Sequence, residues 1–283
     1  MGKNNRSDLY AVIGDPIAHS LSPDIHNFLF EEFGHKAKYI PLRVRRENLE
    51  KNLPLFKDNF SGFNVTAPHK EAIVSCLSEQ DKTVRFFGAA NTVKVEQKGL
   101  TGYNTDGYGF LKSLQVHDIN LDNKKVLILG CGGAARVVAL ELLKFSSGIT
   151  VANRTRDRAS ALITRLREEN KKKIELKEAG LEEIKSENYS AVINTIPQGS
   201  DPGIAVRVVQ EMIFKKAELA YDLTYSPPET EFLKTAQKYG CKKINGLAML
   251  FFQALKAYQI WFEREIEEET IFSLYRHWKT ETP

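Results

Sequence analysis

Apolar, strand-like runs alternate with helix-like periods along the chain. The first part carries the runs LYAVIG, AKYIPLRV and FNVTA, with helical periods between them. Beyond Asp106 a helix is followed by KKVLILG, a long helix, ITVAN, another helix, SAVINTI and AELAYDL. Strand–helix alternation with short connections predicts an α/β fold with parallel, doubly wound sheets. The run VLILG is nearly all apolar, as is typical of a strand covered by helices on both faces.

The same pattern predicts two domains, for which 283 residues are sufficient. The polar stretch KGLTGYNTDGYG ends the first part and leads into a helix that feeds the strand KKVLILG. From Gly246 onward the pattern is helical and contains no strand, so this segment could return to the first domain. We therefore predict one domain of residues 1–105 plus 246–283 and a second of residues 106–245.

Composition and charge argue against several classes of protein. The net charge of +4 is small and the basic residues are scattered, so no nucleic-acid groove is predicted. The most apolar helix, GLAMLFFQALKAYQIWF, is interrupted by Gln253, Lys256 and Gln259, which indicates a core helix rather than a membrane span. Three widely spaced cysteines favour the reducing cytoplasm. Neither they nor the six histidines have metal-site spacing, so no metal is expected.

A glycine-rich turn is the most specific local signal. The strand VLIL runs into Gly130-x-Gly132-x-x-Ala135 and then into an apolar helix, which is the dinucleotide fingerprint in its strand–turn–helix setting. Gly130 permits the tight turn, Gly132 lets the backbone approach a pyrophosphate, and Ala135 allows close packing of helix on strand. The N–H groups at the helix start would bind the phosphates.

The end of the next strand indicates which dinucleotide is bound. NAD-binding proteins normally place Asp or Glu there to bind the ribose 2′-hydroxyl. This chain instead has Asn153, Arg154 and Thr155, with Arg158 one helical turn later. Guanidinium groups suit a 2′-phosphate, so NADP is predicted. The alternative is that these arginines are only a solvated helix start.

The stretch SGFNVTAPHK, residues 61–70, combines a strand pattern with chemically useful side chains. Its alternation puts Asn64 and Thr66 on one face, and Pro68 ends the strand just before Lys70. This face could be an ordinary solvent face, or it could direct two hydrogen-bonding groups and a lysine at one small molecule.

Four further stretches carry polar groups whose role the fold alone leaves open. Ser22 before Pro23 is expected to cap a helix, yet Ser20 two residues earlier could join it in binding an anion. Asp106 in YNTDG is by default a turn or cap residue. Gln253 interrupts AMLFFQAL, where a buried amide must find partners. Asn91 ends GAAN just before another strand-like run.

Taken together, the motifs HSLSP, FNVTAPHK, GAANT, YNTDG, GCGGAA, ANRT, YDLTYSPPET and GLAMLFFQA resemble the shikimate dehydrogenase family in order and spacing, from Tyr10 to Ala257. The resemblance implies an N-terminal αβα substrate domain with a mostly parallel sheet, a Rossmann NADP domain and a cleft between them. It also implies reversible, NADPH-dependent reduction of 3-dehydroshikimate to shikimate in the pathway to aromatic amino acids.

The resemblance also assigns roles to individual residues. Lys70 and Asp106 match the catalytic pair, and either could transfer the proton that the reduced carbonyl oxygen requires. The positions that match substrate-binding residues are Ser20, Ser22, Asn64, Thr66, Lys70, Asn91, Asp106, Tyr225 and Gln253. The positions that match the NADP site are Gly130, Gly132, Gly133, Ala134, Asn153, Arg154, Thr155 and Arg158. His69 occupies a variable position and is expected to point away from the site.

Two alternative functions remain open at this stage. A quinate/shikimate dehydrogenase with broader substrate or cofactor use would carry most of the same residues. A catalytically silent ligand-binding relative should have lost Lys70, Asp106 or the glycine loop, and this chain keeps all three. The expected partners are small molecules, with no nucleic acid and no membrane, and the chain is expected to be a monomer or homodimer.

Overall fold

A computed structural model describes residues 8–185, 187–197, 203–209 and 211–281. The chain separates into two compact units. The first unit contains the described residues up to Gly109 and those from Phe251 onward, and the second contains Phe110–Leu250. Each unit is built around its own six-stranded sheet. The predicted α/β class therefore holds in both parts of the chain.

The sheet of the first unit has the strand order β2-β1-β3-β5-β6-β4. Its strands are β1 (Asp8–Gly14), β2 (Ala37–Arg43), β3 (Gly62–Val65), β4 (Glu79–Gln80), β5 (Thr92–Glu96) and β6 (Gly99–Tyr103). β1 pairs in parallel with β2 and β3, whereas β5 is antiparallel to both β3 and β6. The antiparallel hairpin departs from the doubly wound pattern because two residues separate β5 from β6, too few for a parallel crossover.

Helices complete this unit. They are α1 (Ser22–Glu32), α2 (Leu49–Asn59), α3 (Lys82–Phe87) and α11 (Glu268–Glu281), with short 3-10 turns at Arg46–Asn48 and Ala72–Cys76. Phe63 and Val65 of β3 lie in this core, as their alternation predicts. Two further helices, α4 (Asp106–Val116) and α10 (Leu247–Phe262), contribute residues to both units.

The C-terminal helical segment lies against the first sheet. Trp261 of α10 donates a hydrogen bond of 3.0 Å from Nε1 to the carbonyl oxygen of Val93 in β5. The indole also lies over Gly62 of β3, where an added Cβ would come within 2.4 Å of Trp261 Nε1. A side chain at position 62 would therefore push the helix off the strand.

The sheet of the second unit has the order β12-β11-β10-β7-β8-β9, and its described pairs are all parallel. Its strands are β7 (Lys125–Leu129), β8 (Gly148–Asn153), β9 (Glu175–Gly180), β10 (Ala191–Asn194), β11 (Leu219–Asp222) and β12 (Lys242–Ile244). Its remaining helices are α5 (Gly133–Leu142), α6 (Arg156–Glu169), α7 (Ile204–Val208), α8 (Glu211–Phe214) and α9 (Glu231–Lys238), with a 3-10 turn at Leu181–Glu183. The apolar strand VLIL lies in the middle of this sheet and is fully buried, as predicted.

The two edge strands of this sheet, β9 and β12, are absent from the sequence-based prediction. β9 has the sequence ELKEAG and is only half-buried, and β12 is three residues long. Neither offers the continuous apolar run or the strict alternation by which a strand is recognised. Their strand structure comes from pairing with a neighbour, β8 for β9 and β11 for β12.

Candidate active site

A lysine and a carboxylate meet at one end of the first sheet. Lys70 Nζ donates a hydrogen bond of 2.7 Å to Oδ2 of Asp106. β3 ends at Val65, and Lys70 follows in the turn after Pro68; its carbonyl oxygen accepts the backbone N–H of Ala90. The lysine side chain is 25% exposed and that of Asp106 is 7% exposed. The pair is therefore largely desolvated, with the ammonium on the accessible side.

His69, the neighbour of Lys70, faces the opposite way. Its side chain is fully buried, and its Nε2 lies 2.7 Å from the carbonyl oxygen of Val44. The histidine thus helps to hold the turn, while the next residue presents its ammonium. This placement agrees with the expectation that His69 points away from the chemistry.

Asn91 orients Asp106 from the other side. Its Nδ2 lies 2.8 Å from Oδ1 of Asp106, and its Oδ1 accepts the backbone N–H of Thr105 at 2.8 Å. A carboxylate only accepts and a backbone N–H only donates, so these two partners fix the orientation of the amide. Both oxygens of Asp106 are thereby occupied, one by Lys70 and one by Asn91.

Gln253 of α10 joins this network although it is 162 residues from Asn91 in the chain. Its Oε1 accepts from Asn91 Nδ2 at 3.1 Å and from the hydroxyl of Thr105 at 3.3 Å. The buried glutamine that interrupts the apolar helix therefore finds its partners in the first unit.

Two threonines belong to this network but are not among the sequence-predicted site residues. Thr105 binds Asn91 through its N–H, and the Thr92 hydroxyl donates to Asn91 Oδ1 at 3.0 Å. Both threonines are buried. Their positions beside Asn91 in GAANT and Asp106 in YNTDG are the sequence signal for this role, because a buried hydroxyl needs a hydrogen-bond partner.

Asn64 and Thr66 stand near the end of β3. Asn64 is buried, and its Nδ2 donates to the carbonyl oxygen of Asn91 at 3.1 Å and to Thr92 Oγ1 at 3.0 Å. Thr66 is half-buried and packs against Gly14, where an added Cβ would come within 2.4 Å of Thr66 Cγ2. The face of Asn64 is therefore not an ordinary solvent face.

The expectation that Ser22 caps a helix is wrong. α1 begins at Ser22 itself, and Leu21, which occupies the N-cap position, makes no side-chain capping bond. Ser20 Oγ instead accepts the backbone N–H of Ser22 at 3.3 Å, so a hydroxyl outside the helix binds a donor of the first turn. The Ser22 hydroxyl is thus not occupied by capping and can take part in binding a ligand.

Tyr225 belongs to the second unit, in the segment between β11 and α9, and is half-buried. Asp222 at the end of β11 holds this segment. Its Oδ1 accepts the backbone N–H of Thr224 at 3.0 Å, and its Oδ2 accepts the Thr230 hydroxyl at 2.7 Å. Asp222 thereby fixes the backbone on both sides of Tyr225.

The glycine loop has the geometry of a phosphate cradle. β7 ends at Leu129, Gly130 has a φ of +99°, and Gly132 immediately precedes the first residue of α5. A Cβ on Gly130 would come within 2.6 Å of Thr195 Oγ1, whereas a Cβ on Gly132 would project into open space. That open space lies in front of the helix start, where backbone N–H groups can bind phosphate oxygens. Gly133 and Ala134 form the first turn of the helix.

The residues predicted to bind a 2′-phosphate lie at the end of β8 and directly after it. Asn153 is its last residue and donates from Nδ2 to the carbonyl oxygen of Thr155 at 2.9 Å. Arg154, Thr155 and Arg158 are exposed at the start of α6. Within the described part of the chain Arg154 and Arg158 form no ion pair, whereas Arg156 binds Glu183 at 3.0 Å. The residues present therefore fit NADP, because two guanidinium groups remain available for a phosphate.

The described residues contain neither a candidate metal site nor a candidate membrane-spanning helix. Within residues 8–185, 187–197, 203–209 and 211–281, no group of three or more His, Cys, Asp or Glu side chains could hold a metal ion. None of the helices described in these ranges combines the length and apolarity required to cross a bilayer.

A dinucleotide-binding loop in one α/β unit and a desolvated lysine–carboxylate pair in the other define a nicotinamide-dependent dehydrogenase. The sequence profile of the shikimate dehydrogenase substrate binding domain matches residues 12–93, and that of shikimate / quinate 5-dehydrogenase matches residues 112–220. The chain belongs to the shikimate dehydrogenase family.

Individual relatives agree with this assignment. The chain is 40% identical over 260 residues to the shikimate dehydrogenase (NADP(+)) of Methanococcus maripaludis, an alignment that covers 91% of this chain and 93% of that protein. A crystal structure of a shikimate dehydrogenase in complex with NADP+ has a TM-score of 0.83 and 37% identity, covering 95% of this chain and 94% of that one. The Thermus thermophilus enzyme in complex with NADP(H) and shikimate has a TM-score of 0.81 and 32% identity, covering 96% and 99% of the two chains. The predicted family, fold class and cofactor are confirmed.

Proposed function

We propose that this chain catalyses the reversible, NADP-dependent interconversion of shikimate and 3-dehydroshikimate. The observation that carries the proposal is the Lys70–Asp106 pair, with Nζ 2.7 Å from Oδ2, in a member of this family. NADPH, when bound, supplies the hydride. The protein must then stabilise and protonate the oxygen of the reduced carbonyl.

Lys70 is suited to that task because its ammonium is partly exposed while its partner is buried. An ammonium has three donors, and Asp106 takes one of them. In the reduction direction a second donor of Lys70 stabilises negative charge on the carbonyl oxygen and supplies the proton that completes the hydroxyl. Asp106 holds the ammonium in place and is the other group through which the proton could pass.

The other substrate contacts are proposed by position in the family motifs. The proposed substrate residues besides the catalytic pair are Ser20, Ser22, Asn64, Thr66, Asn91, Tyr225 and Gln253. The hydroxyls of Ser20 and Ser22, near the start of α1, suit the substrate carboxylate. The Asn91 amide is already bound to Asp106 and Gln253, so its contribution passes in part through these two residues.

The NADP site is proposed to comprise Gly130, Gly132, Gly133, Ala134, Asn153, Arg154, Thr155 and Arg158. The glycine loop would bind the pyrophosphate through backbone N–H groups, and Arg154 and Arg158 would bind the 2′-phosphate. We propose residues 106–245 as the NADP domain and residues 1–105 plus 246–283 as the substrate domain. The division of the described chain after Gly109 and after Leu250 supports these boundaries to within five residues.

Quinate is the second candidate substrate. The sequence profile that matches residues 112–220 is that of shikimate / quinate 5-dehydrogenase, which includes both substrates. Quinate differs from shikimate in ring saturation and in one additional hydroxyl, which would bear on the contacts of Ser20, Thr66 and Tyr225. We further propose a cytoplasmic location, because no disulfide joins Cys76, Cys131 or Cys241 in the described part of the chain. We also propose that the protein is a monomer or homodimer.

A spectrophotometric assay at 340 nm tests the proposed function. It crosses shikimate and quinate with NADP and NAD in one four-way comparison. Strong activity confined to shikimate with NADP is expected. Comparable quinate turnover would favour the broader enzyme, and no turnover in any of the four combinations would favour a silent ligand-binding protein.

A further inference from the structure

Tyr39 of β2 is a buried tyrosine whose hydroxyl reaches the substrate network. Its OH donates a hydrogen bond of 2.7 Å to Oδ1 of Asn64, and only 2% of the residue is exposed. The phenol is thus a partner of a proposed substrate residue, although Tyr39 lies on another strand and is 25 residues away in the chain.

The protein holds Tyr39 from three directions. The Asn27 side chain binds both backbone groups of Tyr39, accepting its N–H and donating to its carbonyl oxygen, each at 3.0 Å. The ring of His26 stacks on the Tyr39 ring, with centroids 4.2 Å apart and an interplanar angle of 15°. Asn64 binds the hydroxyl. The Asn27 bonds fix the backbone of Tyr39, and the contacts with His26 and Asn64 fix its side chain.

The orientation of the Asn64 amide follows from the chemistry of its partners. Nδ2 lies 3.1 Å from the carbonyl oxygen of Asn91, which can only accept. The other Nδ2 hydrogen goes to Thr92 Oγ1, whose own hydrogen is donated to Asn91. Both donors of the amide are therefore used, and Oδ1 must face Tyr39.

The Tyr39 phenol stays a donor over the working range of pH. Burial raises the pKa of Tyr39 well above its ordinary value. The nearby His26 is neutral, because burial lowers its pKa to about 3. The Asn64 side chain acts to raise this pKa, but its effect is smaller than that of burial. Neither ring nitrogen of His26 has a hydrogen-bond partner of good geometry, so the histidine does not replace Tyr39 as a donor to Asn64.

From these contacts we infer that Tyr39 is a positioning residue for substrate recognition, which it serves by fixing Asn64 as a hydrogen-bond acceptor. With both N–H groups bound to the protein, Asn64 can only accept through Oδ1, so the substrate group that it holds is a hydroxyl that donates. This inference rests on the proposed function, and it adds the polarity of one substrate contact and the residue that sets it.

A double-mutant cycle tests whether Tyr39 acts through Asn64. The four proteins are the wild type, Tyr39→Phe, Asn64→Ala and the double variant, assayed for shikimate oxidation with NADP. Tyr39→Phe should raise the KM for shikimate about 5- to 10-fold, as expected for one lost hydrogen bond, and leave kcat and the KM for NADP within about 2-fold. On the Asn64→Ala background the same substitution should change the KM less than about 2-fold. Equal effects on both backgrounds, or no effect on either, would overturn the inference.

Tyr258→Phe is the matched control. Tyr258 is also buried in the first unit, and its hydroxyl lies 2.7 Å from His35 Nε2. Removing this hydroxyl should cost similar stability, read as the thermal midpoint, and leave the KM for shikimate unchanged. An equal rise in KM for Tyr258→Phe would show that any lost buried hydroxyl has this effect, and would contradict a specific role for Tyr39.

A measurement on the wild-type protein covers the case in which Tyr39→Phe does not fold. The two Nδ2 hydrogens of Asn64 give separate ¹⁵N-correlated NMR signals. If both stay on Asn91 and Thr92, saturating shikimate should leave them slowly exchanging and nearly unshifted. Loss of either bond on addition of shikimate would show Asn64 donating to the substrate and overturn the inference.

The two possible failures differ in what is seen. A wild-type protein that does not oxidise shikimate contradicts the proposed function and with it the inference. A fully active wild type whose Tyr39 and Asn64 effects are simply additive contradicts the inference and leaves the proposed function intact.

Discussion

Lys70 and Asp106 are 36 residues apart in the chain, yet Nζ of the lysine lies 2.7 Å from Oδ2 of the aspartate. The turn after β3 delivers the lysine, and α4 begins at the aspartate. Asn91 occupies the second carboxylate oxygen, so Asp106 has one orientation available toward the ammonium. The catalytic hypothesis depends on this pair being held before any substrate binds.

The first prediction concerns cofactor choice. Arg154→Ala should raise the KM for NADPH at least about 10-fold and leave the KM for NADH nearly unchanged, because only NADPH carries the 2′-phosphate. Arg156→Ala is the control, since Arg156 is also exposed but is bound to Glu183. Steady-state kinetics with both cofactors checks the prediction. Equal effects of Arg154→Ala on the two cofactors would argue against the NADP assignment.

A second prediction separates the two glycines of the loop. Gly132→Ala should leave the thermal midpoint nearly unchanged, because its φ of −71° suits any residue and its Cβ would project into open space. The same Cβ should obstruct the pyrophosphate and raise the KM for NADP about 10-fold or more.

Gly130→Ala should instead destabilise the fold by roughly 1 to 3 kcal/mol. Its φ of +99° and the 2.6 Å approach to Thr195 Oγ1 both oppose a side chain. Thermal unfolding and NADP kinetics of the two variants check this pair of predictions. A Gly132→Ala protein that unfolded at lower temperature and bound NADP as before would contradict the role given to Gly132.

How far the sequence alone leads can be judged from particular elements. The strands VLIL and FNVTA can be recognised from their sequences. Burial on both faces requires a continuous apolar run, and burial on one face requires alternation of apolar and polar residues. β9 and β12 are strands mainly because a neighbour offers hydrogen bonds, and a local pattern does not record that. The wrong assignment of Ser22 as a cap has a similar cause, since the N–H that matters is bound by Ser20.

The candidate site likewise contains residues that the sequence predicts and residues that it does not predict. Lys70, Asn91, Asp106 and Gln253 were expected from motifs, and the structure brings these four together in one network. The sequence does not predict the roles of Thr92 and Thr105, which bind Asn91, or of Tyr39, which binds Asn64. These roles come from hydrogen bonds that the fold creates, and spacing along the chain does not record them.

A third prediction concerns the pH dependence of stability. Burial lowers the pKa of His26 to about 3 from an ordinary value of 6.5. Between these two values the unfolded chain binds a proton that the native protein does not, so the free energy of unfolding falls as the pH drops below 6.5. One proton corresponds to about 1.4 kcal/mol per pH unit, which gives a loss of about 2 kcal/mol at pH 5.

Urea unfolding of wild type and His26→Phe at pH 7 and pH 5 measures this contribution. The variant should lose about 2 kcal/mol less than the wild type over that interval. The ring signals of His26 in the wild type should also stay unchanged from pH 8 to pH 5. An equal loss of stability in both proteins, or a His26 signal that titrates near pH 6.5, would contradict the assignment of a neutral, buried ring.

The turnover of Lys70→Ala tests the central claim most directly. Lys57→Ala, which removes an exposed lysine from α2 of the same unit, serves as the control, and Lys70→Arg keeps the charge while changing its geometry. Lys70→Ala should lower kcat for shikimate oxidation by about 100-fold or more, with the KM values for shikimate and NADP within about 3-fold of wild type. A Lys70→Ala protein that is folded and retains wild-type kcat would contradict the role of Lys70 in proton transfer.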